Sequence, residues 1–132
     1  MAVPAGGDIR WTTYYFRDLD LATALMAACD RGVRVRLCVE GHPRLATANE
    51  DVLTRLAAHG LSGGLRVHVP ALSMLAGLHG HLHAKIYAFS HPHPSALIGS
   101  FNPSCNIPED EAVIAEIGDQ DRGHNMLAEI TH

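Results

Sequence analysis

The chain has 132 residues, 47% of them hydrophobic and 18% charged, and 10 Lys and Arg against 14 Asp and Glu give a formal net charge of −4. This is one domain's length with enough apolar material for a core. It contains no run of roughly 18 apolar residues that would cross a bilayer, and its acidic balance argues against a broad nucleic-acid surface while leaving room for a local basic groove.

The opening MAVPAGGD lacks the basic and apolar regions of a signal peptide, so a cytoplasmic domain is expected. Cys29, Cys38 and Cys105 are odd in number and lack a CxxC spacing, which supports neither a disulfide framework nor a zinc site. The composition stands out in its 10 histidines, three of them in HGHLH at 79–83 and two in HPH at 91–93.

In chain order, IRWTTYYF at 9–16 is β-branched and aromatic and reads as a strand, with Asp18 placed to cap a helix. Leu21, Ala22, Leu25, Ala28 and Cys29 recur at helical spacing, and Gly32 supplies a left-handed stop. VRVRLCV at 33–39 alternates, with Val33, Val35, Leu37 and Val39 on one face and Arg34, Arg36 and Cys38 on the other. Thr47 and Glu50 have capping-box spacing ahead of an apolar stripe of Val52, Leu53, Leu56 and Ala57, and Gly60 ends that helix. LRVHV at 65–69 is a third strand, and the βαβαβ order predicts parallel strands joined by right-handed crossovers.

Residues 71–80 show no period and are expected to form a loop. HAKIYAF at 83–89 and ALIGSF at 96–101 are strand-like, and the SHPHPS between them carries prolines that a central strand excludes, so a hairpin is predicted. The tail has an acidic, helix-compatible stretch at 109–117, a polar loop GDQDRGHN and an apolar run MLAEI at 126–130. One α/β domain spanning 1–132 is the expectation, with no linker, repeat or low-complexity segment.

The chemistry concentrates in the predicted hairpin. A period of two puts His83 and Lys85 on one strand face. If the hairpin closes with Phe89 opposite Ala96, Lys85 faces Ser100 and His83 faces Asn102, whereas a slip of one residue would scatter the four. An imidazole beside a cation, a hydroxyl and a carboxamide offers a nucleophile or base together with donors for phosphate oxygens.

HAK at 83–85 followed by GSFN at 99–102 resembles the HxK and GSxN signature of the phospholipase D superfamily, and the YYF strand, the helix and RGVRVRLCVEG at 31–41 resemble the segment preceding it. The resemblance covers most of the chain and implies a mixed sheet flanked by helices. It implies a phosphodiesterase or phosphatidyltransferase in which His83 forms a phosphohistidine, Lys85 neutralises phosphoryl oxygens, and Ser100 and Asn102 position the phosphate and the imidazole. No metal or other cofactor is implied.

The family pattern usually has an Asp five residues after the Lys, where this chain has Ser90. The family site also uses two copies of the signature, and this sequence has one. The second is expected from a homodimer partner or from a missing half of a longer protein. Phospholipid is preferred over nucleic acid as the phosphodiester because the net charge is acidic. A nuclease of the same superfamily and a decayed domain serving as scaffold or dimerisation module are the alternatives.

Other features read more blandly. His79, His81 and His83 alternate as metal ligands could, but that spacing recurs on exposed loops that bind nothing. His91 and His93 fall in a proline turn at the surface. Asp119, Asp121, Arg122 and His124 belong to a charged loop of the ordinary solvated kind. Ser100 lacks a GxSxG context, no phosphate-binding glycine loop is present, and Trp11, Tyr14, Tyr15 and Phe16 read as core.

Overall fold

The computed structural model describes residues 2–69, 80–104 and 126–131. Within them run β1 (Asp8–Thr13), α1 (Leu19–Asp30), β2 (Arg34–Glu40), α2 (Glu50–His59), β3 (Leu65–His68), β4 (Ile86–Phe89), β5 (Ser95–Gly99) and β6 (Leu127–Thr131). The strands form a mixed sheet in the order β3-β2-β1-β4-β5-β6. β1, β2 and β3 are parallel, and β4, β5 and β6 are added antiparallel, beginning with β4 on β1.

The first five elements form for the expected reasons. Asp18 caps α1, its Oδ1 accepting the Leu21 N–H at 2.9 Å, and Gly60 ends α2 at φ +80°. The capping box at Thr47 and Glu50 does not form. Asn49 is the residue preceding the helix, and its side chain turns away from the helix into the core, where it bridges three backbone groups. A buried network outcompetes a surface cap because unpaired polar groups in the interior cost more than frayed ones in water.

Both crossovers step from strand to neighbouring strand in the same direction, so right-handedness sends α1 and α2 to one face of the sheet. That face carries the core. Ile9 on β1 and Val35, Leu37 and Val39 on β2 meet Ala22, Leu25 and Ala28 of α1 and Val52 and Leu56 of α2, all buried. The register sets Ile9 beside Val35, Trp11 beside Leu37 and Thr13 beside Val39, which keeps the apolar residues of both strands on the same side. Each fully buried Leu or Phe here contributes roughly 1.5–3 kcal/mol relative to exposure.

The hairpin forms, with a register one residue from the expected one. Phe89 faces Ser95, Ala88 faces Ala96, Tyr87 faces Leu97 and Ile86 faces Ile98. This pairing matches like with like, buried Tyr87 with Leu97 and half-exposed Ile86 with Ile98. Ser90 leaves the hairpin ladder to bond β1 instead. Its N–H donates to the Asp8 carbonyl at 3.1 Å and its Oγ accepts the Asp8 N–H at 2.8 Å.

The first strand also stops at Thr13, short of residue 16, and MLAEI is a strand at the sheet edge. Among the described residues, no helix is long and apolar enough to cross a membrane. The expectations for the 71–79 loop, for 109–117, and for His79, Cys105, Asp119, Asp121, Arg122 and His124 lie outside the described residues.

Candidate active site

The carboxyl ends of parallel β1 and β2 and the amino end of antiparallel β4 meet at one end of the sheet. Such ends are where open α/β sheets collect their ligands. Tyr14 and Tyr15 follow β1, Glu40 ends β2, and His83 and Lys85 lead into β4. His83 and Lys85 therefore lie just before the strand, and their side chains are in mutual contact.

Lys85 is buried, with 5% of its surface exposed. Its Nζ donates to His83 Nε2 at 2.9 Å and to the His83 carbonyl at 3.0 Å, and it sits 5.5 Å from the centre of the Tyr14 ring. A donor on Nε2 requires that nitrogen to carry its lone pair, so the imidazole proton is on Nδ1. The His83 ring packs edge-on to Tyr14 with centroids 4.7 Å apart. Its pKa is pushed below the ordinary value of 6.5, first by burial against these groups, then by the Lys85 charge and by His81. The neutral, nucleophilic form is the one this arrangement favours.

Around this pair is a shell that the sequence did not disclose. Glu40 is fully buried. Its Oε1 accepts the His42 N–H at 2.8 Å, its Oε2 accepts the Leu82 N–H at 2.7 Å, and the imidazoles of His81 and His68 stand 3.9 and 4.0 Å from Oε2. Asn49 accepts from the Phe16 N–H at 2.8 Å and donates to the carbonyls of Tyr14 at 2.7 Å and Glu40 at 2.8 Å. It thereby ties the ends of β1 and β2 together beneath the histidine. The only signal in the sequence was a carboxylate closing an apolar strand and an Asn ahead of a helix, neither of which marks a site by itself.

The hairpin's second half divides. Asn102 is buried and its Oδ1 accepts the Tyr15 N–H at 3.3 Å, one residue from the ring that supports His83. The Pro103 carbonyl accepts from the N–H groups of Arg17 and Asp18 at 2.9 and 3.0 Å, pinning this turn to the start of α1. Tyr87 reinforces it, donating its hydroxyl to the Phe101 carbonyl at 2.7 Å.

Ser100 faces the other way. Its Oγ accepts the Met126 N–H at 3.0 Å and its own N–H donates to the Met126 carbonyl at 3.0 Å, at the β6 edge. The one-residue register difference puts Gly99, not Ser100, opposite Lys85, with the Gly99 N–H reaching the Lys85 carbonyl at 3.3 Å. A side chain at Gly99 would collide with the Met126 carbonyl, so the glycine is required by this approach. Among the described residues, no group of three or more His, Cys, Asp or Glu could hold a metal ion.

A histidine and a lysine two apart at the strand ends of a mixed sheet, with GSFN returning on the partner strand, define a phospholipase D-like domain. The comparisons agree. The sequence pattern of the family described as cardiolipin synthase, PLD-like domain, matches residues 4–110, and the chain belongs to that family. The crystal structure of Nuc from Salmonella typhimurium, a phospholipase D family member, superposes with a TM-score of 0.60 at 19% identity, covering 96% of this chain and 67% of that one. A comparison with curated proteins finds no match.

Proposed function

We propose that this domain is one half of a phosphodiesterase or phosphatidyltransferase that works through a covalent phosphohistidine on His83. The observation that carries the reading is the 2.9 Å contact between Lys85 Nζ and His83 Nε2. The Lys85 ammonium occupies the position a phosphoryl oxygen would take beside the nucleophilic nitrogen. An arriving phosphodiester accepts the Lys85 hydrogen bond and exposes the lone pair.

The Nε2 lone pair then forms the N–P bond while the bond from phosphorus to the leaving oxygen breaks, and that oxygen takes a proton from a second acid. Water or an alcohol next attacks phosphorus, giving its proton to the second acid in its now deprotonated form, the N–P bond breaks with its electron pair returning to Nε2, and both groups are restored. Asn102 holds the Tyr14–Tyr15 backbone that supports the imidazole, whereas the phosphate role that the family resemblance gives Ser100 requires its Oγ to leave the Met126 N–H it accepts here. No step in this route calls on a metal.

The second acid is assigned to a second copy of the signature, supplied by a homodimer partner or by another part of a longer protein. A phospholipid is the preferred phosphodiester, with nucleic acid as the alternative. One observation favours a different reading, a scaffold with a decayed site: Ser90, at the position of the family's usual Asp, is used as a fastener between β4 and β1.

The test is hydrolysis of bis(p-nitrophenyl) phosphate in EDTA by the chain and by His83→Ala, with the solution mass measured alongside. Turnover that survives EDTA, disappears in the variant and comes from a dimer is the expected result. A folded dimer without turnover would establish the scaffold.

A further inference from the structure

Because both helices lie on one face of the sheet, the opposite face is open among the described residues, and its two halves differ in chemistry. On β1, β2 and β3 it carries Arg10, Arg34, Arg36 and Arg66, all exposed. Arg10 stands beside Arg36 in the parallel register, and Arg66 stands beside Cys38, two residues further along β2.

Among the described residues of this face, one half-buried carboxylate meets these arginines. Asp8 is engaged by Arg34 through both oxygens, at 3.1 and 2.5 Å, and lies 3.7 Å from Arg10. Glu40, next on that face of β2, is fully buried and turned into the amides of His42 and Leu82. A chain of net charge −4 thus concentrates arginines along one groove of about 720 Å³. Arg66 is held ready in it, its Nη1 fixed to the carbonyls of Gly63 and Leu65, both at 2.9 Å.

On β4, β5 and β6 the same face is aliphatic: Ile86, Ala88, Ala96, Ile98, Ala128 and Ile130. Ile86, Ile98 and Ile130 are 37%, 39% and 57% exposed. A second groove, of about 520 Å³, runs over Ala88, Ala96 and Ile130, and Arg10 lines both grooves. The basic and apolar tracks therefore abut at one residue, since Arg10 on β1 pairs with Arg36 on one side and with Ala88 on the other.

We infer that this face is a second binding site, separate from His83, for an anionic phospholipid. The phosphate lies on Arg10, Arg36 and Arg66 and the alkyl chain runs across Ala88, Ala96 and Ile130. Arginine forks match phosphate oxygens in pairs, and exposed aliphatic surface beside them gains by covering an alkyl chain. A nucleic acid fits less well, because single strands need aromatic platforms for their bases and Trp11 points to the helix-covered face. The site does not depend on chemistry at His83.

The test measures binding of dihexanoyl phosphatidylglycerol as a soluble monomer, and of phosphatidylcholine vesicles with and without phosphatidylglycerol, with a single-stranded oligonucleotide as competitor. Expected are binding of the monomer and of the anionic vesicles only, a roughly 30-fold loss in R36A/R66A, or about fivefold per arginine, and a several-fold loss in Ile130→Ser. R36K/R66K should fall between the parent and R36A/R66A, keeping the charge and losing the paired fork. His83→Ala should bind as the parent does, so a failure of turnover and a failure of this site are read separately. Circular dichroism of each variant confirms the fold. Affinity indifferent to the two arginines overturns the proposal. So does oligonucleotide binding that needs the arginines and outcompetes lipid while ignoring Ile130→Ser, which would make the groove a nucleic-acid track.

Discussion

The buried carboxylate of Glu40 accepts the backbone N–H of Leu82 at 2.7 Å, joining the end of β2 to the residue before His83 across 42 positions of sequence. The residue before His83 is thus placed by a backbone bond to a buried acid. The direction of the imidazole depends on this tether and on the Tyr14 ring.

Glu40→Gln follows from that geometry. Both carboxylate oxygens accept backbone N–H groups, so an amide in either orientation sets its NH2 against a donor. A buried donor left unpaired costs about 1–3 kcal/mol. The variant is expected to unfold at lower denaturant by that amount, and its residual phosphodiesterase turnover is expected to fall further than the stability loss accounts for. An unchanged denaturation midpoint would show that the tether is dispensable.

Asn49→Ala removes three buried hydrogen bonds at once, to Phe16, Tyr14 and Glu40. At roughly 1 kcal/mol each the loss is about 3 kcal/mol, a large share of a small domain's stability. Asn49→Asp is expected to be no better, because it keeps the acceptor, discards both donors and adds a charge at a buried position. Chemical denaturation of the two variants side by side checks this.

The imidazole of His83 titrates below its ordinary 6.5, with burial the first cause and Lys85 the second. Between the lowered value and 6.5 the unfolded chain binds the proton more readily than the folded one. The contribution to stability is therefore intact above 6.5, declines as pH falls through 6.5, and stops declining below the folded value. Proton NMR of the ring should give a midpoint under 6.5. In Lys85→Met it should rise only part of the way back, since burial remains. A midpoint at or above 6.5 in the parent chain would contradict the arrangement.

Tyr87 has its phenol pushed up to about 12 by burial, against a smaller opposing effect of the Thr13 hydroxyl at 3.3 Å. In an alkaline ultraviolet titration Tyr87 should ionise only near 12, and the absorbance it contributes there should vanish in Tyr87→Phe. The same variant leaves the Phe101 carbonyl without its phenol donor and is expected to cost about 1 kcal/mol.

Much of this protein was legible from residue patterns alone. The alternation of Val33 to Val39, the helical spacing from Leu21 to Cys29, and the turn residues Gly32 and Gly60 are local signals, and each element formed within a few residues of its expected place. The HAK and GSFN motifs were equally plain because their information is identity and spacing. What the sequence could not settle was which partner each polar group finds. Hairpin register depends on cross-strand packing and on Ser90 being drawn to Asp8, so it came out one residue away and turned Ser100 toward Met126. The roles of Asn49 and Glu40 could not be read from the sequence because burying a polar side chain is favourable only when distant backbone groups arrive to satisfy it, and only the assembled sheet brings them there. The open face follows the same logic: strand alternation determined that the arginines and the isoleucines each line one side of their strands, while the one-directional crossovers decided that both sets share the side without helices.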